Sequence, residues 1–156
     1  MSRLANLSKN KNTIMMRILG NQGLRKAMYY PESDFLDKPD VPHEQLLYKH
    51  LFPYRVIPNA QTQEKTLITL QFKEFRLVNQ AFKSGYILIN AICHRDVVQT
   101  DYDFLRHDYI ISEIEKLAND QQGIGIGKLS FHEFEELDVD DQYLGQYIAY
   151  KLYEFN

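Results

Sequence analysis

Residues 85–120 read GYILINAICHRDVVQTDYDFLRHDYIISEIEKLAND, and the fold class turns on a change of period inside them. From Gly85 to Val98 the side chains alternate. Ile87, Ile89, Ala91 and Cys93 share one face, and Tyr86, Leu88 and Ile92 share the other. Both faces are apolar, so the spacing predicts a strand at least half buried on each side. The period then becomes helical: His107, Ile110, Ile111, Ile114, Leu117 and Ala118 form one stripe. This predicts a helix over 101–119, capped by Thr100 or Asp101 and stopped at Asn119, with Asp103 placed favourably for the helix dipole.

Other strands flank this unit. In TLITLQF (66–72), Ile68, Leu70 and Phe72 oppose Thr69 and Gln71. The parity slips at Phe75 and Leu77, and one extra residue near Lys73–Glu74 predicts a β-bulge. Lys83-Ser84-Gly85 reads as a turn. Downstream, the glycines of 123–127 lead into KLSFHEF (128–134), and QYIAYKLYEF (146–155) closes the chain as a strand. The order predicts an α+β domain, a mainly antiparallel four-stranded sheet with one crossing helix.

The N-terminal part is less regular. SKNKN is polar, and residues 1–12 read as a mobile basic arm. Ile14, Met15, Ile18 and Leu19, followed by Leu24, Ala27 and Met28, predict one interrupted helix or two short ones ending before Pro31. Three prolines and several acids mark 31–42 as a linker or wrapped loop. A short helix is expected near Glu44 to Leu51, and Pro53 and Pro58 bracket an extended stretch. Residues 13–58 thus form a helical and extended segment, and 59–156 the sheet-plus-helix core of a single domain.

Composition fits one soluble intracellular domain. With 156 residues, 44% apolar, the chain can bury roughly 70% of its unfolded surface. No apolar run approaches the ~20 residues of a membrane-spanning helix, and the N-terminus lacks a signal-like apolar core. A single cysteine excludes a disulfide scaffold and fits a reducing compartment. Six of the 18 basic residues lie in 1–28, where there is no acid; this leaves 12 basic against 21 acidic residues, a net of −9, for 29–156. Such a body repels a phosphate backbone. The basic segment, a solvated face on the plain reading, is the part able to meet nucleic acid or an acidic partner.

The sequence offers several partial motifs. His94-Arg95-Asp96 matches the centre of a kinase catalytic loop, but Asp101 stands where that loop needs asparagine. GIGIGK (123–128) resembles a phosphate loop, yet Gln122 replaces the first glycine, Leu129 the hydroxyl residue, and a strand follows instead of a helix. The acids Glu133, Glu135, Glu136, Asp138, Asp140 and Asp141 miss the calcium-loop pattern at Tyr143 and Ala149, so they read as a solvated or partner-facing hairpin loop. None of the histidines 43, 50, 94, 107 and 132 has metal-motif spacing. Cys93 and His94 point to opposite faces of a strand, so Cys93 reads as core packing. The expectation is no catalytic residue, metal or cofactor.

RILGNQGLRKAMYYP (17–31), NAICHRDVVQTD (90–101), the helix after it, the connector and strand of Gly125 to Phe131, and YLGQYIAYKLYEFN (143–156) together resemble small neck proteins of tailed bacteriophages. Within that group the order of elements resembles the tail-terminator or tail-completion type. The head-completion adaptor is mostly helical and the stopper a small β-barrel. One departure stands at 101–106, where DYDFLR replaces a turn that usually carries Gly and Pro.

The resemblance implies a structural virion protein, assembled in the host cytoplasm, whose copies close into a six-fold ring. Its implied partners are further copies of itself, the tail tube protein, the head–tail connector or stopper protein, and DNA passing through the lumen without specific binding. No membrane is implied. A closed ring needs two complementary lateral surfaces. Loop 137–145 is a candidate, with Asp138, Asp140 and Asp141 around Tyr143 and Leu144 as apolar anchors; Arg17, Arg25 and Lys26 are candidates for docking an acidic neighbour. The alternatives are another neck role, or a nucleic-acid-associated module using the basic segment.

Overall fold

A computed structural model describes residues 5–155. Helices α1 (Ala5–Leu19) and α2 (Gln22–Tyr29) come first, followed by single 3-10 turns at Phe35–Asp37 and His43–Gln45. Strands β1 (Leu51–Phe52), β2 (Thr66–Leu77) and β3 (Phe82–His94) lead through a 3-10 turn at Arg95–Val97 to helix α3 (Arg106–Ala118). Strands β4 (Ile126–Asp138) and β5 (Tyr143–Phe155) complete the chain.

The sheet has five strands in the order β1-β2-β3-β5-β4. The four long strands pair antiparallel, as expected. The addition is β1, which runs parallel to β2 at Leu51↔Ile68 and Phe52↔Thr69 and makes the sheet mixed. Its place in the expectation was the end of a helix near Glu44 to Leu51. Only one 3-10 turn forms there, because His50 then ties to β2: its carbonyl accepts from the Ile68 amide and its Nδ1 contacts the Thr66 carbonyl at 2.8 Å.

The three helices cover one face. Ile87, Ile89, Ala91 and Cys93 of β3 and Ile148, Tyr150 and Leu152 of β5 pack there with Ile110, Ile111 and Ile114 of α3 and Ile14, Ile18, Leu24 and Met28 of α1 and α2. Each fully buried aliphatic side chain of this kind contributes about 1.5–3 kcal/mol. Among the described residues the other face has a small cluster of Leu67, Ile92 and Tyr143 with Phe52, Val56 and Val139.

The phase slip in β2 is a bulge, as expected: register shifts between Lys73 and Arg76, and Glu74 takes φ 59. The extra residue turns Phe75 back to the helix face, where its ring meets Phe72 at 5.4 Å. Phe75 lies flat over Gly85, where an added Cβ would stand 2.4 Å from the ring, so only glycine fits that point of β3. Residues 83–85 are therefore strand, and the turn lies at 78–81, closed by the Ala81 and Phe82 amides donating to Asn79 Oδ1.

Three other expectations change. Residues 5–12, placed in a mobile arm, belong to α1; residues 1–4 lie outside the described residues. The helix tie is polar. Asn10 Nδ2 donates to Glu154 Oε2 at 3.3 Å, Asn6 Nδ2 reaches Glu154 Oε1 at 3.4 Å, and Asn10 Oδ1 accepts from the Gly125 amide at 3.1 Å. Helix α3 begins at Arg106, not 101; its N-cap Leu105 is apolar and makes no side-chain bond, and Thr100, one of the expected caps, shapes a separate turn through the Tyr102 amide and the Phe104 carbonyl. Its stop at Asn119 stands as expected. Finally, β4 and β5 extend to Asp138 and from Tyr143, so the expected loop 137–145 shrinks to residues 139–142.

Candidate functional site

The basic candidates are held within their own chain. Arg17 donates to the Leu117 and Gln122 carbonyls, which ties α1 to the end of α3. Arg25 donates to the Leu19 and Val41 carbonyls. Lys26 reaches the Leu36 carbonyl at 3.3 Å and Asp40 at 3.5 Å, with little of its side chain exposed. These groups close the ends of helices and pin the wrapped loop 31–42, a use that basic residues near helix C-termini favour.

The acidic hairpin brings the other candidates together at one end of the sheet. Asp140 Oδ1 accepts from the Gln142 and Tyr143 amides, at 2.8 and 2.9 Å, and so shapes the turn. Asp141 gives its carbonyl to Arg95 Nε, and Asp138 ends β4 beside the open face of the sheet. Tyr143, expected as an exposed anchor, is buried at 3% exposure. Its hydroxyl donates to the Glu64 carbonyl and its ring meets His94 edge-on. Leu144 is partly buried and packs on the main core. Burial takes Tyr143 out of the set of surface anchors, and Leu144 keeps only part of its side chain at the surface.

The partial motifs have structural uses. His94 Nδ1 accepts from the Asp96 amide at 3.0 Å and caps the 3-10 turn after β3. Cys93 is fully buried, and desolvation pushes its thiol up to about 12, which suppresses the reactive thiolate. Gly123, Gly125 and Gly127 all have positive φ and carry the chain from α3 into β4, the connector expected of them. Burial lowers the pKa of both His50 and His107. Among the described residues no group of three His, Cys, Asp or Glu side chains is placed to hold a metal.

What the sequence reading missed is at the sheet edges and under α3. Strand β4 is an edge along its whole length, and Phe131 and Phe134 stand exposed at 51% and 45%. They flank an apolar groove of about 270 Å³ floored by Ile111 and Ile148 and bordered by Asp108 and Glu115. At the opposite edge, β1 covers β2 at Ile68 and Thr69, and among the described residues no strand lies beside its outward backbone from Leu70 onward. Lys11, Arg55, Lys73 and Arg76 lie along that side, with Glu74 near Arg76 at 4.0 Å. The strand itself is expected from KLSFHEF; its exposure has a signal in Glu133, Glu135 and Glu136 around Phe131 and Phe134, which leave neither face of the strand apolar.

Arg106 gave no signal, because a basic residue at the start of an amphipathic helix ordinarily faces water. Here it is 0% exposed. Its Nε donates to the Val97 carbonyl at 2.7 Å, one terminal nitrogen to Ala27 at 2.8 Å, and the other to Glu32 at 2.9 Å and Pro31 at 3.4 Å; the guanidinium lies 4.4 Å from the Phe35 ring centre. One side chain thus joins α2, the wrapped loop, the end of β3 and α3.

The YomW family model matches residues 21–152, from the N-cap of α2 to Leu152 near the end of β5. The chain belongs to the YomW family. That name is of Bacillus phage and prophage (SPbeta-like) origin, which suggests a phage protein. No curated protein matches the sequence. The YomW span takes in Arg106, strands β1 to β4, β5 as far as Leu152, and both open edges, and it leaves α1 and its anchor Glu154 outside. No helix among the described residues is long and apolar enough to cross a membrane.

Proposed function

We propose that this YomW-family chain is a structural protein of the phage neck, whose copies form a ring that ends the tail tube and joins it to the head connector while DNA passes through. The observation that carries the proposal is the pair of unlike open edges on one sheet, an acidic one at β4 and a basic one at β2. Heterologous contacts between two unlike surfaces are what closes identical copies into a ring. The phage origin of the family name and the resemblance of the sequence to neck proteins add to it. A body with net −9 over residues 29–156 suits a duct through which phosphates slide without being held. A nucleic-acid-binding role for the basic segment is the weaker reading, since Arg17, Arg25 and Lys26 are spent on carbonyls of their own chain.

Electron microscopy of particles assembled without this protein tests the role. Full heads beside overlong or ragged tails are expected. Heads that have lost their DNA would move the chain to the adaptor or stopper layer, and normal virions would overturn every neck role.

A further inference from the structure

We infer that the lateral contact of this ring is an antiparallel continuation of the sheet, with residues 133–136 of β4 in one copy lying against residues 70–73 of β2 in the next. The inference rests on the ring reading above and specifies its surface. Strand direction supports it first. Directions alternate across β2, β3, β5 and β4, so a second copy in the same orientation presents its β2 antiparallel to β4. A ring about an axis requires copies that all point the same way.

Charge is the second argument. The β4 edge carries Glu133, Glu135, Glu136 and Asp138, and the β2 edge carries Lys73 and Arg76, with Arg55 and Lys11 beside them. Like edges therefore repel and unlike edges attract, which sets the order of neighbours.

Register is the third. On the helix face lie Phe72 of β2 and Phe134 of β4; on the open face lie Lys73 and Glu133. The register that sets Phe72 opposite Phe134 also sets Lys73 opposite Glu133, so an aromatic pair and an ion pair form in adjacent rows. Bulges bound this stretch at its Lys73–Glu133 end, between Phe131 and Glu133 in β4 and between Lys73 and Arg76 in β2, and β1 bounds the other end by covering Ile68 and Thr69. Bulges block indiscriminate strand addition, so only this short run is left open. The second copy also covers Phe134 and the apolar groove next to it.

Exposed charges make the test clean. Sedimentation velocity over a concentration series compares the wild-type chain with Lys73→Glu, Glu133→Lys and the double variant, each checked for an unchanged thermal midpoint. Each single reversal is expected to weaken association about tenfold or more, since it sets like charges opposite one another. The double variant restores association, and so does an equimolar mixture of the two singles. Singles that associate like the wild type would place the contact elsewhere and overturn the inference while leaving the ring intact. Singles that weaken association without rescue in the double or the mixture would overturn this register. A wild-type chain that stays monomeric at every concentration would remove the ring and the inference together.

Discussion

Arg106→Met is expected to lower the stability of the protein by about 3–5 kcal/mol, since several buried carbonyls lose one charged donor together and each unsatisfied group costs about 1–3 kcal/mol. The guanidinium is the shared donor for the carbonyls of Val97, Ala27, Pro31 and Glu32, and methionine fills the volume without satisfying any of them. In a domain of this size each kcal/mol moves the thermal midpoint by roughly 2–4 °C, so a fall of about 10 °C follows. Arg106→Lys keeps the charge but presents a point donor in place of a planar fork, and it recovers only part of the loss. Thermal and urea unfolding of the two variants checks both statements. A midpoint for Arg106→Met within 2 °C of the wild type would show that the four carbonyls find other partners.

Asn10→Ala is expected to cost about 2 kcal/mol, because it strips a donor from the buried Glu154 carboxylate and an acceptor from the Gly125 amide at once. Asn6 remains on the other carboxylate oxygen, at 3.4 Å, and limits the damage. The loss should be local as well as global. Amide exchange in the first turns of α1 and in the 123–127 connector rises by more than it does in β3, since neighbouring α1 contacts below Ile14 are few and polar. Replacing Glu154 by Gln in the Asn10→Ala background removes the uncompensated charge and regains part of the stability. Exchange that stays unchanged in α1 would mean that Ile14, Met15 and Ile18 hold the helix without this polar tie.

The two predictions mark where sequence reading stops. The strand-to-helix switch after Cys93 and the bulge near Glu74 were legible because a period is local: alternation, then 3.6, then a parity slip. Both of the features just discussed depend on partners far away in the chain. Asn10 meets Glu154, and Arg106 meets Ala27, and neither pairing leaves a local pattern. The parallel strand β1 is two residues long, between a 3-10 turn and Pro53, too short to show alternation.

The acidic run after Phe131 was legible as a surface but not as a strand. An edge strand whose side chains face water on both sides has no buried half to impose alternation, so the expected strand stops at Phe134 and Glu135 to Asp138 read as loop. The same ambiguity put Tyr143 and Leu144 outside when pairing with His94 and Cys93 of β3 draws them in. Among the candidate residues, Asp138 adjoins the edge that the ring contact would use, whereas Arg17, Arg25 and Lys26 serve the fold of the single copy. Interface and interior differ by burial, which neither composition nor net charge reports.

Cryo-electron microscopy of the neck in the intact virion examines the shape-based role at its root. The account predicts several copies of this chain closed side by side around the DNA path, coaxial with the tail tube and seated between tube and connector. Density holding one isolated copy, or particles whose neck lacks the chain altogether, would contradict it.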